Sequence, residues 1–206
     1  MIALTENRWV LPLAIALTAI LVTVAGVLAY DEFSGYRADP EEPEMLPKGP
    51  TARKALQIAS RAAEGWNQDA GLTGATVHYA LQDSGEYSGE WTFQFYSPLS
   101  RWMGLFVVES GKATLVRETL SPYEIPVFHN GVWRVDSDEA LSIWWDHGGR
   151  HLLTRRPDTG ISLRLRAREA DRSGAVWIVT GTLPGHRSEF SLVVDASDGS
   201  VVKETD

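Results

Sequence analysis

The densest group of side chains that could bind a ligand in this 206-residue chain is a set of arginines in its last third. Three of them alternate with apolar residues, as in a β-strand, which places them on one face about 6.6 Å apart. Guanidinium groups suit carboxylates and phosphates, so this face could bind anionic lipid headgroups, an acidic polymer or an acidic partner. The alternative is an ordinary solvated strand face with ion pairs to nearby acids. The candidate binding residues are Arg155, Arg156, Arg164, Arg166 and Arg168.

Histidine and carboxylate spacings predict no metal site. His147 and His151 lie four residues apart, but two glycines between them should break a helix that would bring both rings to one face. Asp195 and Asp198 do not have the spacing of a calcium-binding loop, and a hairpin turn explains them better. The chain has no cysteine, which excludes thiolate-bound metals, disulfides and thiol catalysis. We therefore predict no metal and no other cofactor.

Motifs of the common enzyme classes are also missing from the sequence. It contains no Gly-x-Ser-x-Gly nucleophile elbow and no glycine-rich phosphate loop. The net charge of −8 argues against a nucleic-acid-binding protein. We predict that the protein is not an enzyme. An envelope hydrolase stays open as an alternative, because a pair of catalytic carboxylates is assembled in space and leaves no motif.

The N-terminal segment, residues 1–30, is predicted to anchor the chain in a lipid bilayer. Residues 9–30 carry no charge, and a helix of that length spans the roughly 30 Å hydrocarbon core. Trp9 and Tyr30 stand at its ends, where amphipathic rings favour the membrane interface. The alternative is a signal peptide that is cleaved after Ala29.

The charges beside this segment predict which side of the membrane the rest of the chain occupies. Arg8 precedes the apolar run, and acidic residues follow it, which favours a cytoplasmic N-terminus. Residues 31–50 contain four prolines and six acidic residues, a composition typical of a semi-stiff linker. We therefore predict a single-pass cell-membrane protein with residues 51–206 outside the cytoplasm.

Two stretches of the chain resemble each other. Trp91 and Trp177 each begin a similar strand-and-hairpin pattern and lie 86 residues apart, and a helix start at Ala55 recurs 85 residues later at Ala140. A shared period of this kind indicates a duplicated structural unit. The predicted organisation is a first unit at 51–118, a connector at 119–135 and a second unit at 136–206.

Each predicted unit is a helix followed by about four antiparallel strands. The first helix has buried-face spacing from Ala52 to Trp66 with Thr51 as its cap, and the second begins with a capping box from Asp136 to Glu139. The fold class is therefore α+β: an N-terminal transmembrane helix, then two tandem units, each a helix packed on an antiparallel sheet. One helix covers only one sheet face, so the other face meets water, the second unit or a partner.

The second unit resembles a known family over residues 133–203. The matching stretches are Trp133-Arg134-Val135, Gly148-Gly149, Val176-Trp177-Ile178-Val179 and Leu192-Val193-Val194-Asp195-Ala196 with the turn that follows. They resemble the PepSY family, which occurs in propeptides of secreted metallopeptidases and in bacterial envelope proteins. Residues 51–118 resemble it only in outline. The resemblance implies cystatin-like units that bind or restrain a peptidase or another envelope partner, without catalysis.

The expected function is therefore a membrane-anchored, extracytoplasmic interaction or regulatory module. Two alternatives remain beside it. One is the envelope hydrolase, and the other is a sensor that binds anionic headgroups or polymers through the arginine-rich strand.

Overall fold

Nine β-strands and three helices make up the part of the chain that the computed structural model describes, residues 46–128, 133–168, 174–183, 185 and 187–205. The helices are α1 (Ala52–Trp66), α2 (Ser137–Trp144) and α3 (Arg150–Arg155), with a π-helical turn at Trp145–Gly149. The strands are β1 (Gly71–Leu81), β2 (Tyr87–Ser88), β3 (Trp91–Tyr96), β4 (Trp102–Glu109), β5 (Lys112–Leu120), β6 (Gly160–Ala167), β7 (Ala175–Leu183), β8 (Arg187–Asp195) and β9 (Val201–Thr205).

All these strands join one antiparallel sheet with the order β5-β4-β3-β1-β6-β7-β8-β9, and β2 pairs with β1 beside this path. The centre of the sheet is the pair β1–β6, in which Ala75 lies opposite Leu165 and Val77 opposite Leu163. The prediction of two tandem cystatin-like units is therefore wrong, because the strands form a single continuous sheet. An unpaired edge exposes a row of backbone donors and acceptors, and the β1–β6 pairing removes two such edges.

The helices pack on one face of this sheet. Helix α1 lies over β3, β4 and β5, whereas α2 lies over β7 and β8. The buried side of α1 consists of four alanines, which are Ala52, Ala55, Ala59 and Ala63. Such small side chains let the helix approach the sheet closely, so hydrophobic burial comes mainly from the aromatic and aliphatic side chains beneath it. These include Phe93 and Phe106.

The N-termini of α1 and α2 meet. The predicted cap of α1, Thr51, makes no capping hydrogen bond with its side chain. Instead, the Ala52 N–H donates to Ser137 Oγ at 2.9 Å, and the Arg53 N–H donates to Asp136 Oδ1 at 3.2 Å. The side chains at the start of α2 thus supply acceptors for free N–H groups of α1, which a helix cannot satisfy internally.

Two tryptophans of the sheet hydrogen-bond to the backbone just before the two helices. Trp91 Nε1 donates to the Pro50 carbonyl just before α1, and Trp177 Nε1 donates to the Val135 carbonyl just before α2, both at 2.8 Å. The two indole rings are in edge-on contact, with centroids 6.2 Å apart. Both helix starts are therefore held to the sheet by buried rings that contact each other.

The capping box predicted for α2 is confirmed. The Asp136 N–H donates to Glu139 Oε2 at 2.8 Å, and the Asp136 carboxylate accepts hydrogen bonds from the start of α2. The helix break predicted at the glycine pair is present, although a further helix follows it. Gly148 has φ 142° and interrupts the helical backbone. Gly149 has helical angles again, and the chain continues as α3.

Replacing Asp136 with alanine should lower the free energy of unfolding by about 1–2 kcal/mol, at the upper end for a helix cap. The loss is large because Asp136 Oδ1 accepts from both Ser137 N–H and Arg53 N–H, so two helices lose an acceptor. Urea unfolding measures the difference. Asp136→Asn keeps an acceptor oxygen and should cost clearly less; equal losses for the two variants would contradict this role.

The predicted membrane span, residues 9–30, lies outside the described residues, as does most of the linker. Within the described part of the chain, no helix has the length and apolar character needed to cross a bilayer.

Candidate functional site

The sheet face opposite the helices carries a distinct set of side chains, which we call the open face. Strand alternation assigns them, since their neighbours in sequence are buried beneath the helices. They are half-buried or exposed in the described structure. The open face comprises Thr76, His78, Thr92, Gln94, Leu105, Val107, Ser162, Arg164, Arg166, Ile178, Thr180, Ser191 and Val193.

Arg164 lies close to the middle of this face. Its partner in β1 is Thr76 and its partner in β7 is Ile178. The side chain is exposed and makes no hydrogen bond or ion pair with any other residue in the described parts of the chain. Neither direct neighbour is acidic. No other described residue therefore uses the five N–H donors of this guanidinium.

Among the other predicted binding residues, the structure brings only Arg166 beside Arg164. Arg166 lies two residues further along β6 on the same face, and it interacts with other groups of the protein. Arg168 forms an ion pair with Asp195. Arg155 ends α3, and Arg156 lies 3.7 Å from Asp158 in the turn that follows, with both partners about half exposed. Arg155 and Arg156 thus lie outside β6, and Arg168 is already engaged by Asp195.

The open face also carries aliphatic side chains, which the charged motifs of the sequence did not predict. Leu105 and Val107 lie on one side of the central strands, and Ile178 and Val193 lie on the other. A signal was present in the sequence. β4, β7 and β8 are apolar at successive positions, a pattern typical of strands that are covered on both faces.

One continuous line of side chains crosses this face from strand to strand, and we call it the cross-sheet row. The register pairs Val107 with Thr92, Thr92 with Thr76, Thr76 with Arg164, Arg164 with Ile178 and Ile178 with Val193. Neighbouring strands are about 4.8 Å apart. The row therefore has an aliphatic residue at one end, two hydroxyls, a central cation and two aliphatic residues at the other end.

Basic side chains outnumber acidic ones on the open face, although Glu109 and Glu189 also fall on it by strand alternation and the chain as a whole is negative. Arg117 lies opposite Leu105, and Lys203 lies opposite Val193, so both add cations to the outer strands of the face. Asp195 lies opposite Val176 on the same side but is already paired with Arg168. An anionic group near Arg164 would meet this positive potential and no adjacent carboxylate of the sheet.

Two carboxyl groups with lowered pKa values accept hydrogen bonds that stabilise turns of the backbone. The Leu99 N–H and the Ser97 hydroxyl donate to Asp69, and these bonds lower the pKa of that carboxyl below 3.8. The Ser200 N–H donates to Asp198 and lowers its pKa in the same way. Hydrogen bonds to the ionised form explain both shifts, and both fix the backbone of a tight turn.

Two tyrosines also have shifted pKa values, and burial is the main cause for each. Burial raises the pKa of Tyr79 to about 12, and the charges of Asp136 and Asp138 add to the effect. Burial likewise raises the pKa of Tyr87, assisted by the charge of Asp158. The Tyr87 hydroxyl donates to the Thr159 carbonyl at 2.8 Å. Both phenols therefore stay neutral at ordinary pH, and that of Tyr87 also links β2 to the residue before β6.

The described residues contain no group of three or more histidine, aspartate or glutamate side chains that could hold a metal ion. His147 and His151 are both exposed, on either side of the break at Gly148. Asp195 ends β8, and Asp198 lies in the turn that leads to β9.

No protein-family model matches the sequence, and no curated protein matches it; the resemblance to PepSY domains stays a prediction. Among solved structures, the chain is similar to a crystal structure from Clostridium difficile 630 described as a "putative lipoprotein". The sequences are 10% identical, the match covers 80% of this chain and 95% of that one, and the TM-score is 0.47.

Proposed function

We propose that the protein is a non-catalytic binding module, held at a membrane by its N-terminal segment, that contacts an envelope partner through the open face. The observation that carries this proposal is the exposed Arg164 among aliphatic side chains, on the sheet face away from the described helices. A broad sheet face of this kind offers a large area for a protein partner. A peptidase is one such partner, as the PepSY resemblance implies.

The composition of the face supports binding to a protein. Interfaces combine an apolar centre with a small number of arginine or aromatic anchors, and these residues contribute most of the binding free energy. The open face has both elements: Leu105, Val107, Ile178 and Val193 supply apolar area, and Arg164 supplies an anchor. Half-buried aliphatic residues gain further burial when a partner covers them.

Site-directed crosslinking in native membranes tests this proposal. The full-length chain would carry Ile178→Lys or Val107→Lys, each of which places a charge among the aliphatic residues of the open face. We expect the yield of the crosslinked complex to fall at least about tenfold in each variant. A charge that is buried without a partner costs several kcal/mol of binding free energy. Thermal unfolding must confirm that the variants remain folded.

The matched control is Gln57→Lys, which adds the same charge at an exposed position of α1 on the helix side. This variant should retain the partner. If Gln57→Lys and Ile178→Lys reduce crosslinking equally, or if neither reduces it, the open face is not the binding surface.

A further inference from the structure

The geometry points to a specific recognition element: a glutamate or aspartate of an extended protein segment that lies along the cross-sheet row, with its carboxylate on Arg164 and aliphatic residues on both sides. This inference rests on the proposed function, and it specifies the chemistry of the partner.

The central charge is the first argument for an acidic partner. Arg164 is exposed, has no acidic neighbour in register, and makes no ion pair within the described residues. Arg117 lies on the same face, opposite Leu105, and adds a further positive charge there. A carboxylate can accept two parallel hydrogen bonds from one guanidinium, which gives geometric specificity as well as affinity.

The surroundings of Arg164 strengthen such a pair. Ile178 lies directly beside it and Val193 one strand further out, so a covering partner would exclude water on that side. On the other side, Thr76 and Thr92 present hydroxyls within reach of a bound backbone or side chain. An ion pair partly removed from water interacts more strongly than one at an open surface.

The spacing of the row predicts the sequence of the partner. From Arg164 to Val107 there are three strand intervals, about 14 Å, and from Arg164 to Val193 there are two, about 10 Å. An extended chain advances about 3.4 Å per residue. The side chains of an extended chain alternate, so those that face the sheet lie an even number of residues apart. The matching segment therefore has an aliphatic residue about four positions from the acid on the Val107 side, and another about two positions from it on the other side, between Ile178 and Val193.

A protein segment fits this face better than a membrane surface does. The cation lies on a central strand with four strands of the path on one side and three on the other. An antiparallel sheet of this width is twisted, so a flat bilayer would meet its corners before its centre. The neighbours of Arg164 in the row are short threonine and isoleucine side chains and not long aromatics that would insert into lipid.

A labelled peptide with the pattern Leu-x-x-x-Glu-x-Leu tests the inference, with fluorescence anisotropy on the full-length chain in detergent. The wild type should bind this peptide about tenfold more tightly than the same peptide with Gln in place of Glu, as expected for a charged hydrogen-bonded pair. Arg164→Gln should abolish the preference. Arg61→Gln, which removes an exposed arginine from α1, should leave it intact.

Three results would overturn the inference. The first is equal binding of the Glu and Gln peptides to the wild type. The second is an unchanged preference in Arg164→Gln. The third is Arg164-dependent binding to phosphatidylcholine vesicles that contain phosphatidylglycerol, without binding to the Glu peptide. If any of these occurs while Ile178→Lys still abolishes partner crosslinking, the proposed function stands and only the acidic partner is wrong.

Discussion

Replacing Trp177 with alanine should lower the free energy of unfolding by about 3–5 kcal/mol, the range for deleting a buried aromatic side chain. Trp177 is fully buried in β7. Its ring contacts Trp91 at 6.2 Å and Trp133 at 5.6 Å between centroids. The substitution therefore leaves a cavity between three aromatic positions that rigid neighbours cannot fill, and it also removes the donor to the Val135 carbonyl.

The two contributions can be separated by urea unfolding of a second variant. Trp177→Phe keeps an aromatic ring but removes the indole N–H, so a buried carbonyl loses its partner at a cost of about 1–3 kcal/mol. Leu99→Ala serves as the control, since this side chain is 87% exposed and its truncation should change stability by less than about 0.5 kcal/mol. A loss below about 1 kcal/mol in Trp177→Ala would show that the ring does not hold the junction.

Replacing Gly149 with alanine should destabilise the protein by about 1–3 kcal/mol, as expected when a packed core receives an extra methyl group. A Cβ at this position would lie 2.3 Å from Cε3 and 2.4 Å from Cζ3 of Trp144. The indole is fully buried and lies 5.9 Å from the Phe190 ring, so it has little room to move. Gly149 itself has ordinary helical angles, and backbone strain is therefore not involved.

Gly65→Ala is the matched comparison, and its effect should have the opposite sign. Gly65 lies in α1, and no heavy atom lies within 4 Å of a Cβ placed there. Alanine should stabilise the helix by about 0.5–1 kcal/mol, because it loses less conformational freedom than glycine on folding. Thermal or urea unfolding of both variants gives the comparison. A stabilised Gly149→Ala would mean that the Trp144 ring is not fixed.

Local periodicity predicted much of the secondary structure. The alternation around Val77, the hairpin between β4 and β5 and the capping box at Asp136 all follow from residues close together in the chain, and the structure confirms them. The pairing of β1 with β6 was not predicted, because periodicity determines which face a residue occupies but not which strand lies beside it. The cap of α1 was missed for the same reason, since its acceptors come from α2.

The candidate site was predicted only in part. Strand alternation correctly placed Arg164 and Arg166 on one face. It could not show that Asp195, which is 27 residues further along the chain, pairs with Arg168. Nor could it show that Arg155 and Arg156 end a helix away from the others. Ion pairs between distant residues depend on the sheet order, which a single sequence does not reveal.

The β1–β6 pairing also has a consequence for how the protein acquires its structure. Tyr79 lies opposite Ile161 and Gly74 opposite Arg166, so the middle of the sheet joins the first half of the chain to the second. During synthesis, β1 cannot form this pairing until the residues of β6 have been made. Protein domains in which most contacts join residues far apart in the sequence fold slowly. We expect a growing chain that ends before residue 160 to leave an adhesive strand edge exposed, a natural target for chaperones.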